Sequence, residues 1–308
     1  MERPSISFII KHPRTGILMY ILYIAKCLPD KQFIQLQYLI AMGKRLDLKN
    51  PKTFNEKIQW LKLYDHNPQY TQMVDKVTMK GYVAGILGEE YIIPTLGVWE
   101  KTEDIQWESL PEKFVLKCNH DSGGLIICRD KSKLDIDAAI TKLNKSLKND
   151  FYKKEREWPY KNVQRRILAE DYITQPDNKS QDYDLQDYKF FCFNGRVEFF
   201  KIDFDRFIEH HANYYDCDWN LLPFGEILCP PNPDKNLEKP RGFDRMIEIA
   251  EHLSKNIPFV RVDLYNLSGK IYVGELTLYP AAGLMKLTDN EWDKKIGDML
   301  VLPARKQI

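Results

Sequence analysis

No two cysteines in this chain are spaced as a metal knuckle or a redox pair. Cys27, Cys118, Cys128, Cys192, Cys217 and Cys229 never form C-x-x-C, and four of them lie within apolar runs. That pattern reads as reduced core thiols in a cytoplasmic protein and gives zinc no support. A charge excess is also lacking: 45 Lys and Arg face 44 Asp and Glu, for a net charge of +1. Nucleic acid is therefore not an expected partner. Repeats and low-complexity tracts are absent, which excludes solenoids and propellers. The apolar run Ile17 to Ala25, among Arg3, Lys11, Arg14 and Lys26, is too short to span a bilayer. Lys26 interrupts any small-residue cleavage site, and Cys27 lacks the small residues of a lipoprotein signal. The run is expected to be a retained helix, packed on the domain or lying in the inner membrane interface.

What the chain does have is material for a core. Its 308 residues are 44% hydrophobic and 12% aromatic, enough for two or three subdomains. Residues 1–65 read as helical, with breaks at Pro13, Pro29 and Pro51. Thr53 and Glu56 are spaced as a capping box. A helix is expected from Val74 to Leu87, with Lys76 and Lys80 on one face. Phe114 to Cys118 and Leu125 to Cys128 flank a Gly-containing loop, and Ile136 to Leu147 reads as a helix. Ile167 to Ile173 reads as a strand and Thr174 to Asp184 as a polar loop. Asn194-Gly195 predicts a hairpin, and Leu267-Ser268-Gly269 predicts another after the amphipathic stretch Phe243 to Leu253. The order lacks a repeating βαβ pattern, so the expected class is α+β.

Two features carry chemistry. Arg261 and Asp263 share one strand face, as do Glu275 and Thr277 on the partner strand. Carboxylates brought together there repel unless a cation or a base lies between them. Magnesium suits such a pair, although a solvated strand face with an Arg–Glu pair explains the pattern equally well. The second feature is Lys117, at a strand end before Asn119-His120-Asp121-Ser122-Gly123-Gly124. Its ammonium and the loop amides could hold phosphates. The loop is neither a Walker motif nor a dinucleotide fingerprint, and an ordinary hairpin turn is the competing reading.

Taken in order, a helix lysine, a lysine before a Gly loop, a strand carrying Glu, then Arg-x-Asp and Glu-x-Thr resemble the ATP-grasp superfamily. The segments Asn50 to Lys57, Phe114 to Gly124, Asp187 to Gly195, Arg261-Val262-Asp263 and Gly274 to Pro280 resemble its TupA-like family, from bacterial surface-polysaccharide clusters. The resemblance implies two α+β subdomains clasping ATP after an N-terminal helical segment, with divisions at 1–68, 69–173 and 174–308. It implies ATP and Mg2+ as cofactors, with Lys76, Lys117, His120, Ser122, Gly123 and Gly124 near the phosphates. Ala169, Glu170, Asp171, Tyr172 and Ile173 would line the adenine edge. Asp263, Glu275 and Thr277 would hold metal, Thr277 standing where the family pattern has Asn. Arg261, Lys189 and Asp187 would serve catalysis, and Arg206, His210 and His211 the acceptor.

The activity implied is a ligase joining a carboxylate to an amine through an acyl phosphate, with a uronic acid or an amino acid as substrate. A sugar kinase, a glycosyltransferase and a non-catalytic assembly protein are the alternatives. The first would leave a stable phosphorylated sugar, the second would use a nucleotide sugar without ATP, and the third needs no metal pair.

Overall fold

The computed structural model describes residues 5, 8, 11–174, 185–205 and 208–305. Residues 175–184 of the expected polar loop, and Arg206, lie outside that set. The N-terminal part holds helices α1 (Pro13–Ile24), α2 (Asp30–Met42), α3 (Phe54–Tyr64), α4 (Gln69–Val74) and α5 (Thr78–Leu87). Pro13 opens α1 rather than breaking a helix, because the first helical position needs no amide hydrogen. Thr53 closes the predicted box: its hydroxyl accepts from Glu56 N at 3.3 Å, and Glu56 Oε2 accepts from Thr53 N at 3.1 Å. Thr53→Ala is expected to cost about 1 kcal/mol in urea unfolding; an unchanged midpoint would mean that the cap contributes nothing.

The helix expected from Val74 to Leu87 is interrupted at 75–77. Asp75 is extended, and its Oδ1 accepts from Val77 N at 2.9 Å and from Asn119 Nδ2 at 2.7 Å. This side chain competes with the helix for the backbone, so Lys76 sits in a turn instead of on the same helix face as Lys80.

A four-stranded antiparallel sheet follows, ordered β1-β4-β2-β3, from β1 (Thr95–Trp99), β2 (Phe114–Cys118), β3 (Leu125–Cys128) and β4 (Ile167–Asp171). α6 (Ile136–Leu147) and α7 (Phe151–Glu155) come between β3 and β4. Phe114, Leu116, Leu143 and Ile167 make its small core.

The second sheet has five antiparallel strands, ordered β7-β6-β5-β8-β9: β5 (Asp187–Phe193), β6 (Arg196–Phe204), β7 (His211–Tyr215), β8 (Phe259–Leu267) and β9 (Lys270–Thr277). Asn194 (φ 51°) and Gly195 (φ 86°) form the predicted tight turn. α8 (Phe243–Ser254) covers one face, burying Phe190, Phe200, Met246, Val260 and Val262 in the larger core. α9 (Asn290–Met299) and α3 pack together at the opposite face. α4 and α5 contribute Tyr70, Met73 and Val83 to this same core.

Candidate active site

The face of the five-stranded sheet opposite α8 is divided in two. One part is aromatic: Phe191, Phe193, Phe199 and Phe259 pack with Phe54. The other part is charged. A single register row runs Lys201, Lys189, Asp263, Glu275 across β6, β5, β8 and β9, with Arg261 opposite Thr277 and Asp187 opposite Asp203. Alternation puts these side chains on one face.

Lys189 ion-pairs with Asp187, with Asp263 at 2.9 Å and with Asp203 at 3.6 Å. Arg261 grips Asp263 with Nε at 2.6 Å and Nη2 at 2.7 Å, and Nη2 also donates to Thr277 Oγ1 at 3.1 Å. Glu275 differs: among the described residues, no hydrogen bond or ion pair engages its carboxylate. Burial pushes that carboxyl up, but Lys76, Arg261 and Lys189 outweigh burial and hold it below its ordinary value.

Lys76, Asp121 and Ser122 come from the small-sheet side to line a cavity of about 390 Å³ with Arg261, Glu275, Thr277 and Tyr279. The Tyr279 hydroxyl is buried with no hydrogen-bond partner among the described residues. Ala281 and Ala282, also on the cavity wall, both have positive φ (49° and 55°). Gln59 and the buried Lys62 of α3 hold the Ala282 carbonyl at 2.9 and 3.1 Å.

Lys117 and Lys80 share one carboxylate, Glu170, which is 2.7 Å from Lys80 and paired with Lys117. Burial would raise the Glu170 carboxyl, yet the two ammoniums hold it below its ordinary value. Burial pulls the Lys80 ammonium down, and Glu170 offsets this only in part. One carboxylate is too little for two lysines, and the surplus positive charge suits an anion. β4 is an interior strand and is hydrogen-bonded on both sides through Asp171. Ala169 is fully buried in the ladder, Glu170 is spent on lysines, and Tyr172 and Ile173 are the positions past the pairing.

In the Gly loop, the Gly123 and Gly124 amides point at Asp121 Oδ1 (3.3 and 3.2 Å), and Lys76 Nζ donates to the Asp121 carbonyl at 3.0 Å. A Cβ on Gly124 would lie 2.5 Å from Ser146 Oγ, so glycine is required by the packing of α6. His120 is buried, with Nε2 on the Asn149 carbonyl at 3.1 Å, and burial lowers its pKa. His210 Nε2 meets Asp203 Oδ1 at 3.0 Å. His211 instead bonds the Pro230 carbonyl at 2.9 Å. Asp203, His210 and Cys229 cluster closely enough to hold a metal, but Lys189 and Lys201, each 3.6 Å from Asp203, oppose a cation there.

Sequence reasoning passed over Lys201, Asp203 and Lys62, and placed Lys80 on a helix face without giving it a role in the site. Lys201-x-Asp203 mirrors Asp187-x-Lys189 across the hairpin, a signal that was available in the sequence.

The sequence model of the TupA-like ATPgrasp family matches residues 56–301. No curated protein matches the chain. Among solved structures, a D-alanine–D-alanine ligase from Bacillus anthracis matches at 15% identity and a TM-score of 0.36, covering 67% of this chain and 57% of that one. D-alanyl-alanine synthetase A from Vibrio cholerae matches at 11% identity and a TM-score of 0.43, covering 89% and 69%. A RimK domain ATP-grasp protein from Sphaerobacter thermophilus matches at 11% and 0.41, covering 77% and 70%. This chain thus spans little more than half the length of the first of these. The family match takes in the row Lys189, Asp263, Glu275, the Lys80–Glu170–Lys117 triad and the Gly loop alike, and on that match the chain belongs to the TupA-like ATP-grasp family.

Proposed function

We propose that this protein is an ATP-dependent carboxylate–amine ligase acting on a uronic acid or an amino acid in surface-polysaccharide assembly. The observation that carries the reading is Glu275. Its carboxylate is held ionised by Lys76 and Arg261 yet engaged by no donor among the described residues, beside Asp263 and facing a cavity. Glu275 is a hard oxygen donor of the kind Mg2+ selects and would hold it, and Asp263 and the Thr277 hydroxyl would join it once Arg261 and Lys189 turn from them to the phosphates. The ion would neutralise phosphate charge as the phosphoryl group moves.

The residues then divide the work. Lys76, Lys80 and Lys117 bind phosphate oxygens, and the Tyr172–Ile173 backbone meets the base. The substrate carboxylate attacks the γ-phosphorus, and ADP leaves with the bridging oxygen. Arg261 steadies charge on the acyl phosphate and on the tetrahedral oxyanion. The amine adds to the carbonyl, loses a proton to solvent, and orthophosphate leaves. His210, oriented by buried Asp203, binds the acceptor.

The test is orthophosphate release from ATP with a panel of uronic acids and amines. Release that requires the amine is expected; a stable phosphorylated sugar, or ATP-independent use of a nucleotide sugar, would overturn the reading. Lys76→Met and Lys117→Met are each expected to weaken ATP about tenfold or more and adenosine little, since the lost contact is a charge on an anion. Equal losses in calorimetry would move both lysines away from the phosphates.

A further inference from the structure

The outer face of α1 is apolar and exposed. Gly16 and Leu22 face inward, while Ile17 (53% exposed), Tyr20, Ile21 and Ile24 (55%) repeat at helical spacing on the outside, and Leu28 continues the stripe. Exposed large side chains at that spacing mark a contact surface. Beside it lies a groove of about 770 Å³ whose cations are Lys26, Lys142, Lys145, Lys148, Lys153 and Lys154, against Asp121 and Asp150. The two features meet at Lys26, between Ile24 and Leu28. The junction is fixed: Arg156 donates to the Lys26 carbonyl at 2.6 Å and approaches Asp30 at 3.5 Å, fastening α7 and its lysines to the α1–α2 corner.

We propose that the α1 stripe and the lysine groove form one surface that docks on an anionic lipid bilayer. At 12 residues α1 is about 18 Å long, against a hydrocarbon core of about 30 Å, so it would lie in the interface. An apolar stripe edged by lysines is the chemistry of interfacial helices. The argument uses only the stripe and the lysines, so the proposal does not rest on the ligase reading. The groove shares Asp121 and Lys154 with the cavity holding Arg261 and Glu275, so docking would bring that cavity beside the headgroups.

The test is co-sedimentation of the full chain with phosphatidylcholine vesicles, with and without phosphatidylglycerol. Binding is expected only with the anionic lipid, and to fall with salt. Each lysine near such a surface is worth about fivefold. The triple variant Lys142→Gln, Lys145→Gln, Lys148→Gln is therefore expected to bind on the order of a hundredfold more weakly. Ile17→Ser, Ile21→Ser, Ile24→Ser together should remove binding at an unchanged melting temperature. Equal sedimentation with neutral vesicles, an unaffected lysine variant, or a stripe that instead drives dimerisation in light scattering would overturn the proposal. Neither readout depends on turnover, so failure here leaves the ligase reading standing.

Discussion

Glu275→Gln is expected to lower ATP-dependent turnover on the order of a thousandfold at only a small cost in melting temperature. The loss follows if this carboxylate holds the ion that neutralises phosphate charge, an effect of several kcal/mol in the transition state. The cost is small because, among the described residues, no donor bonds Glu275, and only its attraction to Lys76, Arg261 and Lys189 is lost. Asp263→Asn should lose as much activity but also some stability, because Arg261 and Lys189 both bond that carboxylate. Kinetics and thermal melts on both variants give the contrast. Near-normal turnover in Glu275→Gln would remove the carboxylate pair from the chemistry. A steep fall in its melting temperature would show that Glu275 is structural.

Glu170→Gln is expected to destabilise the protein by about 3 kcal/mol or more at pH 7, the scale of breaking a buried ion pair on one side. Glu170 is 4% exposed, and the change leaves Lys80 and Lys117 without their carboxylate. The sign with pH follows from its lowered pKa. The contribution is fully present above the ordinary carboxylate value and is lost as pH falls through the lower folded one. Wild type and variant should therefore converge in acid. Denaturant titrations at pH 7 and below pH 4 test this. A constant gap, or a variant as stable as the parent, would show that Glu170 carries no such charge. ATP should recover part of the loss if its phosphates meet the two lysines.

Most of the element order was legible because local signals agreed with the tertiary outcome. Thr53 and Glu56, Asn194-Gly195 and the alternation in β8 each act within a few residues. The turn at Asp75 was missed because its cause is distant: Asn119 and Arg166 bind the Asp75 carboxylate. Strand phase was equally hidden. Counted from the Leu267–Lys270 pair, a regular ladder sets Asp263 opposite Gly274 and turns Glu275 toward α8. The ladder instead slips between Asp263 and Leu264, leaving Gly274 as the extra residue under the Tyr265 ring. β6 slips likewise at Glu198, which brings Lys201 and Asp203 round to join Lys189. These bulges, more than composition, assemble the charged row.

The join between α3 and α9 has a consequence for how the chain is made. Asn55 bonds Met285 and Asp293 at 2.8–2.9 Å, and Lys57 bonds the carbonyls of Gly297 and Leu300, both at 2.7 Å. The small core draws on residues 105–169 and can close while synthesis continues. The larger core cannot, since the partners of Asn55 and Lys57 are made 230 to 243 residues later. Such long-range pairing slows folding and leaves the aromatic strand faces uncovered on the ribosome, where they are prone to aggregate. Removing α9 should thus leave a nascent chain that depends on chaperones.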